Sequence, residues 1–159
     1  MICFYKIIAF ILTFSLNSYM TFDEQEQSLY QPLLEQYIGK TDASVIIRDI
    51  VVNVDDVLRT DAGEIGYIRY TFTAKVIESQ SDEIFDEIHY TMVYEGSLVP
   101  QINTTPHYLA ICKDNITGDW YTASQGMKLP LVNESFYKYT KDKIYSIRNS
   151  TAEFCKIKK

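Results

Sequence analysis

The stretch Gly66–Gly96, GYIRYTFTAKVIESQSDEIFDEIHYTMVYEG, constrains the fold more than any other part of the chain. In its first arm Ile68, Tyr70, Phe72, Ala74 and Val76 alternate with Tyr67, Arg69, Thr71, Thr73 and Lys75. The second arm repeats the pattern: Ile88, Tyr90, Met92 and Tyr94 alternate with Glu87, His89, Thr91 and Glu95 in all but one place. A period of two belongs to a strand with one buried face, and β-branched and aromatic residues suit that pleated surface. A helix would wrap the apolar set around its whole circumference. The polar run Glu78–Glu83 then forms the tip of a long antiparallel hairpin. A hairpin alone is marginal in water, so its apolar face predicts a partner layer from the rest of the chain.

Residues 1–20, MICFYKIIAFILTFSLNSYM, carry one charge, Lys6, and an apolar run Ile7–Leu16. That run has the length of a signal-peptide core and is short for a membrane span. It predicts a signal peptide over 1–20 and a secreted or periplasmic protein with no stable membrane span after signal removal. The competing reading is an uncleaved N-terminal anchor. Residues 21–159 are then one domain. Cys3 leaves with the signal, and Cys112 and Cys155 remain. In an oxidising compartment the simple expectation is one disulfide between them, against two separate buried thiols. The net charge is −6, while the segment from Leu131 onward has seven basic residues against three acidic. The acidic excess therefore lies in the body, which argues against nucleic acid as a partner.

In chain order, residues 28–38 suit a short helix with Ser28 as cap and Pro32 in its first turn, after a polar segment expected to fray. Ala43–Val57 reads as a strand whose inward parity changes from Val45 and Ile47 to Ile50, Val52 and Val54. A β-bulge near Arg48–Asp49 would reconcile the two. His107–Lys113 is a fourth strand, Trp120–Ala123 a fifth, and the stretch through Gln125, Gly126 and Pro130 a loop. A last helix is expected over 135–147, capped by Asn133 or Ser135, followed by a tail that returns Cys155 to strand four.

The sum is a mostly β (α+β) chain with five antiparallel strands over 43–125, a short N-terminal helix and a C-terminal helix. The strand patterns Ala43–Val54, Tyr70–Val76, Ile88–Tyr94 and Tyr108–Ile111 resemble those of OB-type barrels, and more specifically of netrin/TIMP-like domains. The resemblance implies a five-stranded barrel with the outer face of strands two and three as binding surface. Metalloprotease inhibitors of that group begin the mature chain with a zinc-chelating cysteine. None lies near position 20 here, so that route is not expected. An α+β roll and a lipocalin-like cup are the competing architectures.

Motif chemistry is sparse. There is no HExxH, GxSxG, Gly-rich phosphate loop or calcium loop, and only two histidines, His89 and His107. His89 and Glu87 share a strand face, as solvated pairs commonly do. The carboxylate pairs at 55–56, 82–83 and 86–87 fall at strand ends and loop tips. These absences predict a non-catalytic protein with no cofactor and no metal. Its expected role is a binding or interaction domain for an unidentified extracytoplasmic protein or glycan, using Tyr67, Arg69, Lys75 and His89 on the outer hairpin face. The alternatives are a carrier of a small apolar ligand, held among Tyr70, Phe72, Tyr90, Met92 and Tyr94, and an inhibitor of a secreted hydrolase. Asn103, Asn115, Asn133 and Asn149 stand in Asn-x-Ser/Thr sequences, glycan acceptors in a eukaryotic secreted chain.

Overall fold

The computed structural model describes residues 22–84, 86–96, 98–147 and 149–155. The apolar segment read as a signal lies outside the described residues, as do Arg148 and the basic residues Lys156, Lys158 and Lys159. The elements are α1 (Phe22–Tyr37), β1 (Ala43–Arg59), β2 (Ile65–Ser79), β3 (Glu87–Glu95), β4 (His107–Lys113), β5 (Trp120–Tyr121), β6 (Lys128–Pro130) and α2 (Glu134–Ser146). Among the described residues no helix is long and apolar enough to cross a membrane.

The expected fold class holds: a mostly β chain with one helix before and one after a ring-like sheet of five strands. The hairpin of β2 and β3 pairs in strict register, with Tyr70 opposite Met92 and Phe72 opposite Tyr90. β1 lies antiparallel on the other edge of β2. The ring closes through β4, whose residues 107–111 pair with Ala43–Ile47 of β1, and through β5, which bridges β4 to β3. One feature departs from the expected all-antiparallel arrangement: β5 runs parallel to β3 over Tyr90–Trp120 and Thr91–Tyr121. The chain enters β5 from the 114–119 turn after antiparallel β4. It therefore meets β3 in the same direction.

The inward hairpin residues do what their parity predicts. Phe72, Tyr90 and Met92 are buried with Val45, Ile47, Leu109 and Ile111 inside the ring, and the Phe72 and Tyr90 rings stack 5.0 Å apart. A second core lies outside the ring, where Ile46, Tyr108 and Ala110 face Leu34 of α1 and Phe136 and Ile144 of α2. The start of β1 and nearly all of β4 are thus buried on both faces. That is why SVII and HYLAIC read as continuous apolar runs rather than alternating ones. The β1–β2 register shifts at four places, and the one that answers to the expected bulge comes a step later than expected: Ile50 is the extra residue between the Asp49–Ala74 and Val51–Thr73 pairs. Beyond it only Val52 returns to the core, while Ile50 and Val54 are exposed.

Several boundaries differ from the sequence reading: β1 runs on to Arg59 rather than ending at Val57, and β5 ends at Tyr121 rather than Ala123. Helix α1 begins at Phe22 rather than Ser28, which places Pro32 inside it. Carboxylates at Glu24 and Glu26 favour the positive end of a helix and explain the early start. Ser28 serves not as a cap but as a mid-helix residue whose hydroxyl donates to the Gln25 carbonyl at 2.7 Å. The stretch read as a loop before Pro130 contains β6, which pairs with His107–Leu109 of β4. Helix α2 begins one residue earlier than expected, with Asn133 as its cap, accepting from the Phe136 amide at 2.7 Å. Replacing Asn133 with alanine is expected to cost about 1 kcal/mol of stability in urea unfolding. An unchanged midpoint would show that the helix start does not depend on this cap.

α2 is also tied to the sheet electrostatically. Glu78 of β2 accepts from Lys141 at 2.5 Å, Tyr145 at 2.6 Å and Tyr137 at 3.3 Å. Burial opposes ionisation of Glu78, but these donors and the Lys141 charge outweigh it and hold its pKa below the usual value. Cys155 returns to β4 and forms the expected disulfide with Cys112, their Cα atoms 5.3 Å apart. Asp42 lies beside both sulfurs. The cysteines are bonded to each other, so neither offers a thiolate to a metal there.

Candidate functional site

Two places concentrate polar chemistry, and they differ sharply in access. The first is sealed. Asp49 continues the inward parity of Val45 and Ile47, so the fold carries a carboxylate into an apolar interior. An isolated buried charge is very costly, and the site supplies partners for both oxygens. Oδ1 accepts from the Tyr90 hydroxyl at 2.9 Å, and His107 Nε2 stands 3.5 Å away. Oδ2 accepts from Lys128 Nζ at 2.6 Å and from the Asn103 amide at 3.0 Å. Burial disfavours the charged form, but the Lys128 hydrogen bond and charge, with His107 close by, overcome this and hold the carboxyl far below its ordinary range. Burial, followed by the Asp49 charge, pushes the Tyr90 hydroxyl far up, so it remains a donor.

Asp49 therefore joins β1 to β3, β4, β6 and the segment before β4. An Asp–His pair also suggests general acid–base chemistry, but both side chains are 0% exposed and cannot meet a substrate. Only Lys128 reaches outward. It lies over the Phe72 ring at 4.6 Å and lines a cleft of about 370 Å³ with Tyr94, Gln101 and Asn103. The cluster cross-links the strands around it. The sequence reading passed over it, although its signal was present: a lone acidic residue at an inward position of an apolar strand demands a buried partner.

The second place is the outer face of the hairpin, the expected position of Tyr67, Arg69, Lys75 and His89. The four share that face as predicted, but the structure spreads them along it. Tyr67, half-exposed, lies between Leu58 and Glu95, and Lys75 between Arg48 and Glu87, near opposite ends. Arg69 and His89 sit on two clefts instead. The first, about 380 Å³, is lined by Asp55, Arg69, Thr91, Asp114, Asp119 and Tyr121 among others. The second, about 280 Å³, is lined by Glu83, Glu87, His89, Asp119 and Trp120 among others. Asp119 lines both, so the clefts adjoin beside the turn that joins β4 to β5 as a groove in two parts. Tyr121 pairs with the outward Thr91, whereas Trp120 pairs with the inward Tyr90 and packs against the inner core.

That turn is well built. Asp114 Oδ1 accepts from the Ile116 amide at 2.7 Å and the Thr117 amide at 2.9 Å, and these bonds hold its pKa below the ordinary value. Gly118, at φ 81°, supplies the left-handed residue that closes it. Arg69 pairs with Asp55 at 3.7 Å, and His89 meets the Thr73 hydroxyl at 3.0 Å and the Glu87 carboxylate at 3.4 Å. Among the sequence's candidate glycan acceptors, Asn115 in the turn and Asn149 are exposed, Asn103 accepts from Thr105, and Asn133 is used as the helix cap.

The turn's share in the groove was not readable from the sequence, because it depends on the parallel pairing of β5 with β3. The inward aromatic residues, by contrast, fill the ring. In comparisons with known proteins, no family model, no curated protein and no solved structure matches this chain.

Proposed function

We propose that this chain is a non-catalytic binding domain that works outside the cytoplasm and engages its partner through the groove on the outer face of β2 and β3. The observation that carries this reading is the division of labour in the fold. The buried Asp49 cluster links the strands of the ring, while accessible polar groups gather on the outer face of the hairpin beside an ordered turn. The N-terminal apolar segment and the Cys112–Cys155 bond support an extracytoplasmic setting. The partner class is a protein or glycan, in keeping with mixed polar and aromatic walls.

Thr91 lines the first cleft from the outward side of β3, where a tyrosine would fill that cleft without entering the core. With immobilised protein and extracytoplasmic fractions, the parent chain should retain a partner that Thr91→Tyr fails to retain, at unchanged thermal stability. Equal retention by both proteins would place the binding surface elsewhere.

A further inference from the structure

We infer that Asn115 and Asn149 carry N-linked glycans, added as the chain passes through a eukaryotic secretory pathway, and that Asn133 does not. The inference rests on the extracytoplasmic setting of the reading above and adds a covalent modification to it. The first observation lies in the sequence. The chain has six asparagines, and four of them, Asn103, Asn115, Asn133 and Asn149, are followed two positions later by serine or threonine with no proline between. Only 24 of the 159 residues are serine or threonine, so random placement would give about one such site among six asparagines. The excess is what a chain read by a glycosyl transferase would show.

The second observation is how the fold treats these side chains. Asn115 is exposed in the β4–β5 turn, and the backbone of that turn closes without it. The Asp114 amide donates to the Asp119 carbonyl at 2.8 Å, and the Gly118 amide donates to the Asp114 carbonyl at 2.8 Å. The Asn115 carboxamide makes no hydrogen bond among the described residues, and Asn115 lines neither cleft of the groove. Its neighbour Ile116 is 95% exposed, an aliphatic side chain that the protein leaves uncovered and that a sugar on Asn115 would adjoin. Asn149 is exposed in the segment after α2, where the next residues hold the backbone: the Thr151 amide donates to the Gly39 carbonyl at 2.9 Å. Asn133 is the opposite case. Its Oδ1 accepts from the Phe136 amide and the Ser135 hydroxyl, both at 2.7 Å, and its Nδ2 donates to Gln27 of α1 at 3.3 Å. A sugar on that nitrogen would stand where α1 meets α2, so a chain modified there before folding would fail to close the two helices together. Asn103 is half-buried, with both backbone groups bonded to Asp49, and belongs to the scaffold.

The sugar donor is an oligosaccharide linked to a lipid diphosphate. The bond from its anomeric carbon to the diphosphate breaks, a bond from that carbon to the asparagine Nδ2 forms, and the amide proton leaves with the diphosphate. The product is a bulky, solubilising group, which an exposed turn and an exposed segment can carry. To test this, the full chain with its own N-terminal segment is expressed in cultured animal cells and recovered from the medium. Digestion with peptide N-glycosidase in heavy-oxygen water turns each occupied asparagine into a labelled aspartate, read by peptide mass mapping against an undigested control. Label is expected at Asn115 and Asn149 and not at Asn133. Asn115→Gln and Thr117→Ala should each remove the same glycan from the intact mass, the second without touching the acceptor.

Secreted protein in which Asn115 or Asn149 is unlabelled overturns this inference and leaves the extracytoplasmic reading standing. An intact mass that Asn115→Gln does not change overturns it as well. Label at Asn133 in the folded, secreted protein overturns the distinction between exposed and engaged acceptors. A chain that stays inside the cells, unmodified, overturns both this inference and the reading on which it rests.

Discussion

Asp49→Ala is expected to destabilise the domain by about 3–5 kcal/mol, a large part of the roughly 5–15 kcal/mol that holds a domain of this size. The reason is what the substitution leaves behind. Lys128 keeps its ammonium in a site where its side chain is only 13% exposed, and the Tyr90 hydroxyl and Asn103 amide lose their acceptor. Removing one partner of a buried ion pair costs more than removing both. Lys128→Met and Asp49→Leu are each expected to destabilise alone, but the two together should cost less than those single losses added together. Chemical unfolding of the four proteins checks this. Additive losses would mean that the two side chains do not act as a pair.

The same carboxylate sets a pH dependence. Its pKa is lower in the folded chain than the ordinary value of about 3.9. A folded chain that binds the proton more weakly gains stability above that ordinary value and loses it as pH falls through the folded one. Unfolding free energy should therefore fall on the acid side of about pH 4 with a steeper slope in the parent than in the Asp49→Leu, Lys128→Met protein. Equal slopes would remove Asp49 from the acid response.

Loss of the disulfide is the other large effect. Cys112 and Cys155 are 43 residues apart, which by the chain-entropy argument gives about 4 kcal/mol of stabilisation. The bond also fixes the C-terminal segment against β4, where the Tyr121 hydroxyl donates to the Cys155 carbonyl at 3.4 Å. Because Cys112 is completely buried, alanine is the cleaner replacement; a serine hydroxyl would need a partner there. The Cys112→Ala, Cys155→Ala protein should unfold at markedly lower urea concentration, and reduction of the parent should reproduce the shift. A midpoint unaffected by either treatment would show that packing of α2 and β4 suffices without the cross-link.

How far these features could be read from the chain depends on the range of the interaction behind them. The hairpin was legible because alternation is local: Phe72 and Tyr90 declare their face through their own neighbours. β4 was legible as an apolar run bounded by Pro106 and the Asp114–Asp119 turn, and its limits agree with expectation. β6 was not, since Lys128–Pro130 has three residues, ends in proline and pairs only because β4 leaves an edge beside it. The start of α1 was missed because Pro32 was placed in a first turn, whereas the helix runs through it.

Asp49 shows a different limit. Its inward parity was visible, but a bulge placed at Arg48–Asp49 removed the conflict one residue too early. With the extra residue at Ile50, the charge points inward and has to be satisfied by Lys128, far along the chain. On the outer face, parity correctly grouped Tyr67, Arg69, Lys75 and His89. It could not show that the β4–β5 turn would stand beside that face and line clefts with it. The carboxylates of that turn, Asp114 and Asp119, were read only as turn-forming residues for the same reason.

The central claim is that the buried charges build the scaffold and the outer groove meets the partner. Amide chemical-shift mapping of the full chain with the partner retained from extracytoplasmic fractions tests it most directly. The account predicts that shifts concentrate at Arg69, Glu87, Thr91, Asp119 and Trp120 and leave Asp49, His107 and Lys128 unmoved. Shifts centred instead on the cleft of Tyr94, Asn103 and Lys128, with the outer groove silent, would contradict it.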